Sequence, residues 1–189
     1  DGYSPMRRGM EIEPIGASFE EFCEMVIEEA EGRASEQNAI ADQFDAIAAM
    51  PPHPRGRKLQ RLFADMAQQY GWSQEEGVRT SSEEIDVIIN RGRDYFLIEC
   101  KWEKDSVEAK VVRDFYGKLS DRKAAGVIVS MSGFTDGAED VVQNKASDRV
   151  ILLFGPIDTC RLMYARVALD QFIDRKWDAL VKRREVVYL

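Results

Sequence analysis

The chain has 189 residues, of which 44% are hydrophobic and 32% charged, as expected for one globular domain with a modest appendage. No apolar run of about 18 residues and no signal-peptide layout occurs, which predicts a cytoplasmic protein without a membrane segment. The three cysteines are far apart and odd in number, which argues against a disulfide framework or a zinc ribbon. The first residue is Asp1 rather than Met, so we expect a piece of a longer protein.

The net charge of −8 is unevenly distributed along the chain. Residues 1–54 hold 12 acidic and 3 basic side chains, whereas residues 55–189 hold 22 and 23. The acidity therefore belongs to the N-terminal part, and the remainder is balanced enough to face phosphate groups. Since His53 is the only histidine, hydrolases that need a pair of catalytic histidines are disfavoured.

Apolar residues at helical spacing predict two acidic helices within residues 18–50, and the prolines at 51, 52 and 54 end that segment. A third helix, whose apolar stripe runs from Leu59 to Tyr70, follows and ends at Gly71.

The rest of the chain predicts an α/β domain. The expected elements are strands at 72–79, 85–90 and 95–102, a helix at 107–124, a strand at 126–131, a helix at 135–146, a strand at 150–154 and a last helix at 166–183. Strands that are apolar on both faces predict a mixed sheet of about five strands covered by helices on both sides. We divide the chain into an acidic helical extension (1–54), a core (55–156) and a C-terminal helical extension (157–189).

Three polar residues interrupt the two most apolar strands, namely Asp86, Glu99 and Lys101. Glu99 and Lys101 are two residues apart, so both point to one face of their strand. Asp86 lies on the strand joined to theirs by a short turn, and antiparallel pairing would bring the two carboxylates together. Two adjacent carboxylates repel each other unless a cation lies between them, and a hard, oxygen-ligated ion such as Mg²⁺ fits. Such a site suits phosphodiester hydrolysis, with Lys101 orienting the attacking water.

The E-x-K pattern alone is a weak signal, since Glu108 and Lys110 form a second copy at the start of a predicted helix. The strand context and Asp86 give the first copy its weight. The alternative is a solvated ion pair of Glu99 and Lys101 at a strand end, unrelated to Asp86.

Residues 55 to about 155 resemble the Mrr-type catalytic domain of the PD-(D/E)xK restriction-endonuclease superfamily. The matching stretches are GRKLQRLFADMAQQYGW (56–72), EIDVII (84–89), LIECKW (97–102), FYGKL (115–119) and SGFTDGA (132–138). The resemblance implies a restriction-endonuclease-like fold, order α-β-β-β-α-β-α-β, and Mg²⁺-dependent DNA cleavage, with Mn²⁺ able to substitute. It also implies that Asp86, Glu99 and the backbone carbonyl of Cys100 bind the metal, that Lys101 is the catalytic lysine, and that the protein serves restriction or defence against foreign DNA.

Two positions depart from the family pattern. Ile85 replaces the proline in the motif, which is common in the superfamily, and Gln60 replaces a glutamate that reaches the metal in many relatives. An amide oxygen can still act as a ligand, so Gln60 is a candidate site residue. The alternative is an ordinary exposed glutamine on a helix.

Basic side chains on two predicted helices are candidates for phosphate contacts. Arg57, Lys58 and Arg61 lie on the first core helix and Lys118 lies on the second. The alternative for each is a solvated charge on a helix surface.

The sequence therefore favours a DNA endonuclease whose acidic helices bind a partner subunit or a neighbouring domain. If it forms a homodimer, those helices or the C-terminal helix are the expected interface. One alternative is an RNA or single-strand nuclease with the same site. Another is an inactive nuclease-like module for nucleic-acid binding or assembly.

Overall fold

The computed structural model describes residue 32 and residues 38–79, 84–146, 148–164 and 167–189, with the backbone alone for 76–79 and 84–86. The chain divides into two compact units, Asp1–Glu36 and Gln37–Leu189, and the elements below belong to the second. Most of the segment predicted to form two acidic helices lies outside the described residues.

The described part of the chain contains six helices and five strands. They are α1 (38–48), α2 (Pro52–Gln69), β1 (Ser73–Arg79), β2 (Glu84–Arg91), β3 (Asp94–Lys101), α3 (Ala109–Leu119), β4 (Ala124–Ser130), α4 (Asp136–Lys145), β5 (Ile151–Phe154), α5 (Pro156–Tyr164) and α6 (Leu169–Arg183). None of the helices in these residues is long and apolar enough to cross a membrane.

The five strands form one mixed sheet in the order β1-β2-β3-β4-β5. The pairs β1–β2 and β2–β3 are antiparallel, whereas β3–β4 and β4–β5 are parallel. Gly92, with a φ of 65°, sits in the tight turn between β2 and β3, where a positive φ favours glycine. The parallel pairs are joined by the crossover helices α3 and α4, as parallel strands require. This confirms the predicted mixed α/β sheet.

Each face of the sheet is covered by a different set of helices, because side chains alternate along every strand. On one face Leu97 is paired with Gly126, and a Cβ atom at Gly126 would lie 2.6 Å from the Phe115 ring of α3. On the other face the ring centroids of Phe96 and Trp177, a residue of α6, are 6.4 Å apart. Burial on both sides explains the run of buried apolar residues from Phe96 to Ile98 in β3.

The structure differs from the sequence prediction at two helices. The helix predicted over 107–124 is shorter, Ala109–Leu119, because Val107 forms a β-bridge with Phe134 and β4 already starts at Ala124. Helix α5 was not predicted. It has only nine residues, and two of its four buried side chains, Asp158 and Thr159, are polar, so its pattern is not that of an amphipathic helix. The predicted domain boundaries after residues 54 and 156 stay predictions.

Candidate active site at the end of β3

Strand β3 carries Glu99 and Lys101 on the face that α3 covers. Cys100 lies between them, points to the opposite face and is buried. The Glu99 side chain is 13% exposed and that of Lys101 is 28% exposed. Lys101 is the last residue of β3 and is paired with Ser130, the last residue of β4, so the pair lies where two parallel strands end.

A second lysine reaches the same carboxylate from helix α3. Lys118 Nζ donates to Glu99 Oε2 at 2.6 Å, while Lys101 Nζ lies 3.0 Å from Glu99 Oε1. Lys118 follows Phe115 by three residues and precedes Leu119, so it shares the helix face that packs on the sheet. Its ammonium also lies 5.8 Å from the centre of the Phe115 ring.

The environment of Glu99 favours its ionised form. Burial is the largest single influence and by itself would raise the pKa of the carboxyl group. The hydrogen bond from Lys118 and the nearby charge of Lys101 outweigh burial, so the pKa of Glu99 lies below its ordinary value. The site therefore holds an ionised and largely buried carboxylate.

The strand register puts the backbone of Asp86 opposite that of Glu99. Val87 of β2 is paired with Ile98 of β3 in an antiparallel ladder, so the next residue along each strand is Asp86 on β2 and Glu99 on β3. Residues directly opposite in such a ladder share a face of the sheet. The Asp86 side chain lies outside the described residues, and its part in the site stays a prediction.

Two loops are joined by hydrogen bonds at this end of the sheet. Ser130, which is fully buried, donates its hydroxyl to the carbonyl of Gly133 at 2.8 Å, and Ser132 donates to the carbonyl of Asp105 at 2.7 Å. Ser106 in turn donates to the carbonyl of Ser132 at 2.9 Å. The segments that follow β3 and β4 are thereby held together beside Lys101.

The basic residues predicted on α2 are exposed near its N-terminal end. Arg57, Lys58 and Arg61 line one surface depression, and Arg61 is paired with Asp65 at 3.0 Å. The guanidinium of Arg55, on the same helix, lies 5.6 Å from the ring centre of Trp102, the residue after Lys101. The start of α2 therefore lies close to the end of β3.

Gln60, the other predicted residue on α2, is partly exposed. Phe63 of the same helix contacts Phe154, and the strand register puts Phe154 on the face of the sheet opposite to Glu99. The roles predicted for Gln60 and for the carbonyl of Cys100 stay predictions.

Within the described side chains, to which the Asp86 carboxylate does not belong, no three or more His, Cys, Asp or Glu residues are close enough to hold a metal ion. A cavity of about 530 Å³ lies at the other end of β3, where its lining includes Arg93, Tyr95 and Lys123 but neither Glu99 nor Lys101. The candidate active site is therefore a strand end rather than that cavity.

Sequence reasoning missed the contact between Lys118 and Glu99. Lys118 was predicted to contact nucleic acid, whereas the structure brings its ammonium to the carboxylate of β3. The available signal was a lysine on the apolar face of an amphipathic helix, between Phe115 and Leu119.

A mixed five-stranded sheet covered by helices, with a Glu-x-Lys pair at the end of its third strand, is the arrangement expected of a restriction-endonuclease-like domain. Residues 53–157 match the family model of the restriction endonucleases that covers the Mrr catalytic domain, and the chain belongs to this family. Its catalytic domain is therefore that of a nuclease. No curated protein matches the chain.

Solved structures with a similar fold include two restriction endonucleases. MspJI, in complex with a 27-mer oligonucleotide, is 18% identical with a TM-score of 0.43, and the match covers 82% of this chain and 36% of MspJI. The small subunit of the heterodimeric enzyme R.BspD6I is 12% identical with a TM-score of 0.48, and the match covers 78% of this chain and 98% of that subunit. A protein of unknown function, AF1548, is 19% identical with a TM-score of 0.48 over 60% of this chain and 64% of its own. The chain thus spans only part of two of these three structures.

Proposed function

We propose that this chain is a Mg²⁺-dependent endonuclease that hydrolyses phosphodiester bonds in DNA, with Asp86, Glu99 and Lys101 as its catalytic centre. The observation that carries the proposal is Glu99 itself. An ionised and largely buried carboxylate lies at the end of β3, beside two ammonium groups and next to the backbone of Asp86. A charged group with a shifted pKa at an accessible strand end is a candidate for function, and membership of the nuclease family supports that role for Glu99.

The donor set suits a hard divalent ion. Asp86 and Glu99 would provide carboxylate oxygens, and the carbonyl of Cys100 a third oxygen, with Gln60 as a further candidate. The chemistry that such an ion supplies is polarisation of the phosphoryl oxygen and a lower pKa for a nearby water. Mn²⁺ prefers the same ligands, so we expect it to substitute.

Lys101 would act on the substrate directly. Its ammonium is partly exposed and lies 3.0 Å from Glu99, so it can donate to the attacking water or to a phosphate oxygen without leaving the carboxylate. Holding the water in line with the phosphorus atom lowers the barrier by orientation, and the positive charge offsets the charge that develops on the phosphate.

DNA would approach along the start of α2. The exposed side chains of Arg57, Lys58 and Arg61 are suited to phosphate contacts, which position a duplex without reading its sequence. The guanidinium of Arg55 over the ring of Trp102 supports this approach, because it brings the first turn of α2 near the residue that follows Lys101. A role in restriction or defence, a partner bound through the acidic N-terminal segment and a homodimer are parts of the same proposal, which family membership and the charge pattern support.

Cleavage assays test this function. Supercoiled plasmid, linear duplex, single-stranded DNA and RNA are incubated with Mg²⁺ or Mn²⁺, with EDTA controls. We expect duplex DNA to be cut, and cleavage to fall by about 100- to 1000-fold in Lys101→Ala and Asp86→Asn. The second Glu-x-Lys copy offers a matched control, since Lys110 is exposed on α3, and Lys110→Ala should cut at the wild-type rate. An equal loss of cleavage in Lys101→Ala and Lys110→Ala would contradict the proposal. Faster cleavage of RNA or of single-stranded DNA would show that one of these, rather than duplex DNA, is the substrate.

The pairing of Glu99 with two lysines favours one other candidate, an inactive nuclease-like module for binding or assembly. In such a module the lysines would neutralise the carboxylate permanently and no metal would bind. Calorimetric titration with Mn²⁺ separates the two functions, because only a nuclease should bind the ion and lose that binding in Asp86→Asn.

A further inference from the structure

Both carboxylate oxygens of Glu99 accept contacts from ammonium groups, and these come from different elements. Lys101 belongs to the same strand and lies 3.0 Å from Oε1, whereas Lys118 belongs to α3 and donates to Oε2 at 2.6 Å. A charge-assisted hydrogen bond of this length occupies the oxygen that a divalent cation would need. Lys118 and a cation at Glu99 therefore compete for the same atom.

The two lysines differ in how freely they can leave the carboxylate. Lys101 and Glu99 are fixed side by side by the pleat of β3, so their contact survives small movements. Lys118 is exposed to a similar extent as Lys101, 24% against 28%, but it reaches Glu99 from helix α3 rather than from the same strand, so rotation of its four-carbon side chain can take its ammonium away. Lys118 is thus the partner that a cation can displace.

The backbone of Lys118 stays close to the site whatever its side chain does. Phe115 and Leu119, on either side of it, are buried, and both would contact a Cβ atom at Gly126 of β4. Arg122 donates a hydrogen bond to the carbonyl of Lys118. A displaced ammonium would therefore move only as far as the side chain allows, which keeps its charge at the edge of the active site.

We propose that Lys118 is a second lysine of the catalytic centre, one that occupies Glu99 while the metal is absent and turns to the substrate phosphate when the cation binds. This inference rests on the proposed function. It makes Lys118 a built-in competitor of the metal and, once displaced, a phosphate contact at the site.

Two measurements on one variant test this inference, because metal binding should become tighter while DNA cleavage becomes slower. Calorimetric titration with Mn²⁺ is carried out on the whole chain without DNA. Lys118→Met should bind Mn²⁺ about three- to tenfold more tightly than the wild type, because the ammonium group that competes for Glu99 has been removed. At saturating Mn²⁺, single-turnover cleavage of duplex DNA by the same variant should be about tenfold slower, because one phosphate contact is missing. A purely structural lysine would not improve metal binding.

Matched variants exclude other causes. Lys110→Met removes one charge from the exposed first turn of α3 and should bind Mn²⁺ as the wild type does. Lys118→Arg retains the positive charge, so its Mn²⁺ affinity should be as weak as that of the wild type. A thermal melt by circular dichroism identifies any variant that has not folded. Unchanged or weaker Mn²⁺ binding in folded Lys118→Met, with normal binding in the wild type, would overturn this inference alone. If neither protein binds Mn²⁺, the inference and the nuclease proposal both fail.

Discussion

Two clusters away from the fully exposed surface place lysine ammonium groups against a carboxylate, and they differ in burial and in the elements they join. The Glu99 cluster consists of Glu99, Lys101 and Lys118, and all three side chains are partly exposed. The Asp158 cluster consists of Asp158 and Lys176, with exposures of 0% and 3% and an Oδ2–Nζ distance of 2.7 Å.

The hydrogen bonds of the Asp158 cluster connect its two side chains to backbone groups of neighbouring elements. Asp158 accepts the backbone N–H groups of Gly155 and Leu189 at 2.9 and 2.7 Å. Lys176 donates to the carbonyls of Leu153, at 2.8 Å, and Val187. The pair therefore ties α6 and the C-terminal segment to the end of β5.

The Glu99 cluster has the opposite character. Its two lysines come from separate elements and remain partly exposed at a strand end. Accessible ammonium groups contribute little to holding a fold but can contact an anionic substrate. A lysine–carboxylate pair is therefore structural when it is buried among backbone groups, and it is a candidate for function when its ammonium groups stay accessible.

The largest effect should come from breaking the Asp158 cluster. Lys176→Met leaves the buried Asp158 carboxylate without its counter-charge, and we expect a loss of about 3–5 kcal/mol in the free energy of unfolding. Urea denaturation measures it. Lys182→Met is the control, because this lysine of the same helix is paired with Asp178 at the surface, and its loss should cost less than about 1 kcal/mol. Similar losses in both variants would mean that the Asp158 cluster does not stabilise the fold as its burial indicates.

The next effect separates activity from stability. Lys101→Ala should reduce cleavage by about 100-fold or more, while its free energy of unfolding stays within about 1 kcal/mol of the wild type, because the side chain is partly exposed. Cleavage rates and urea midpoints on the same preparation test this. A Lys101→Ala protein that is inactive only because it is unfolded would place Glu99 and Lys101 with the structural pairs.

The pH dependence of stability should reveal the Glu99 cluster. The pKa of Glu99 is lowered in the folded protein, so its ionisation stabilises the fold fully above the unfolded pKa, about 4.3, and this contribution is lost as the pH falls through the folded pKa. In EDTA, the stability difference between the wild type and Glu99→Gln should therefore shrink as the pH is lowered below about 4. Urea midpoints at several pH values measure it, and a difference that does not change with pH would contradict the lowered pKa.

The smallest effect concerns an exposed pair outside both clusters. Arg61 and Asp65 lie one turn apart on α2 with side chains 60% and 34% exposed, so Arg61→Ala should change the free energy of unfolding by less than about 0.5 kcal/mol. If Arg61 contacts a phosphate, the same variant should weaken duplex binding severalfold and lower the salt dependence of log K by about one. Fluorescence anisotropy at several salt concentrations measures this salt dependence. An unchanged slope of log K against the logarithm of the salt concentration would mean that Arg61 is a solvated surface charge.

The sequence by itself determined the order of the core elements and the β3 pair. Local periodicity carries this information, since alternation along a strand fixes that Glu99 and Lys101 share a face and that Cys100 does not. The family was found separately, from stretches of residues that resemble it and without reference to contacts.

The tertiary structure alone decided which distant side chains meet. Lys118 and Glu99 are 19 residues apart and Asp158 and Lys176 are 18 apart, and these contacts depend on how α3 and α6 pack on the sheet. Helix α5 was missed for a related reason, since its polar Asp158 is buried only because Lys176 and two backbone N–H groups compensate its charge. Spacing along the chain reports local faces, whereas the pairing of charges across elements is decided by packing.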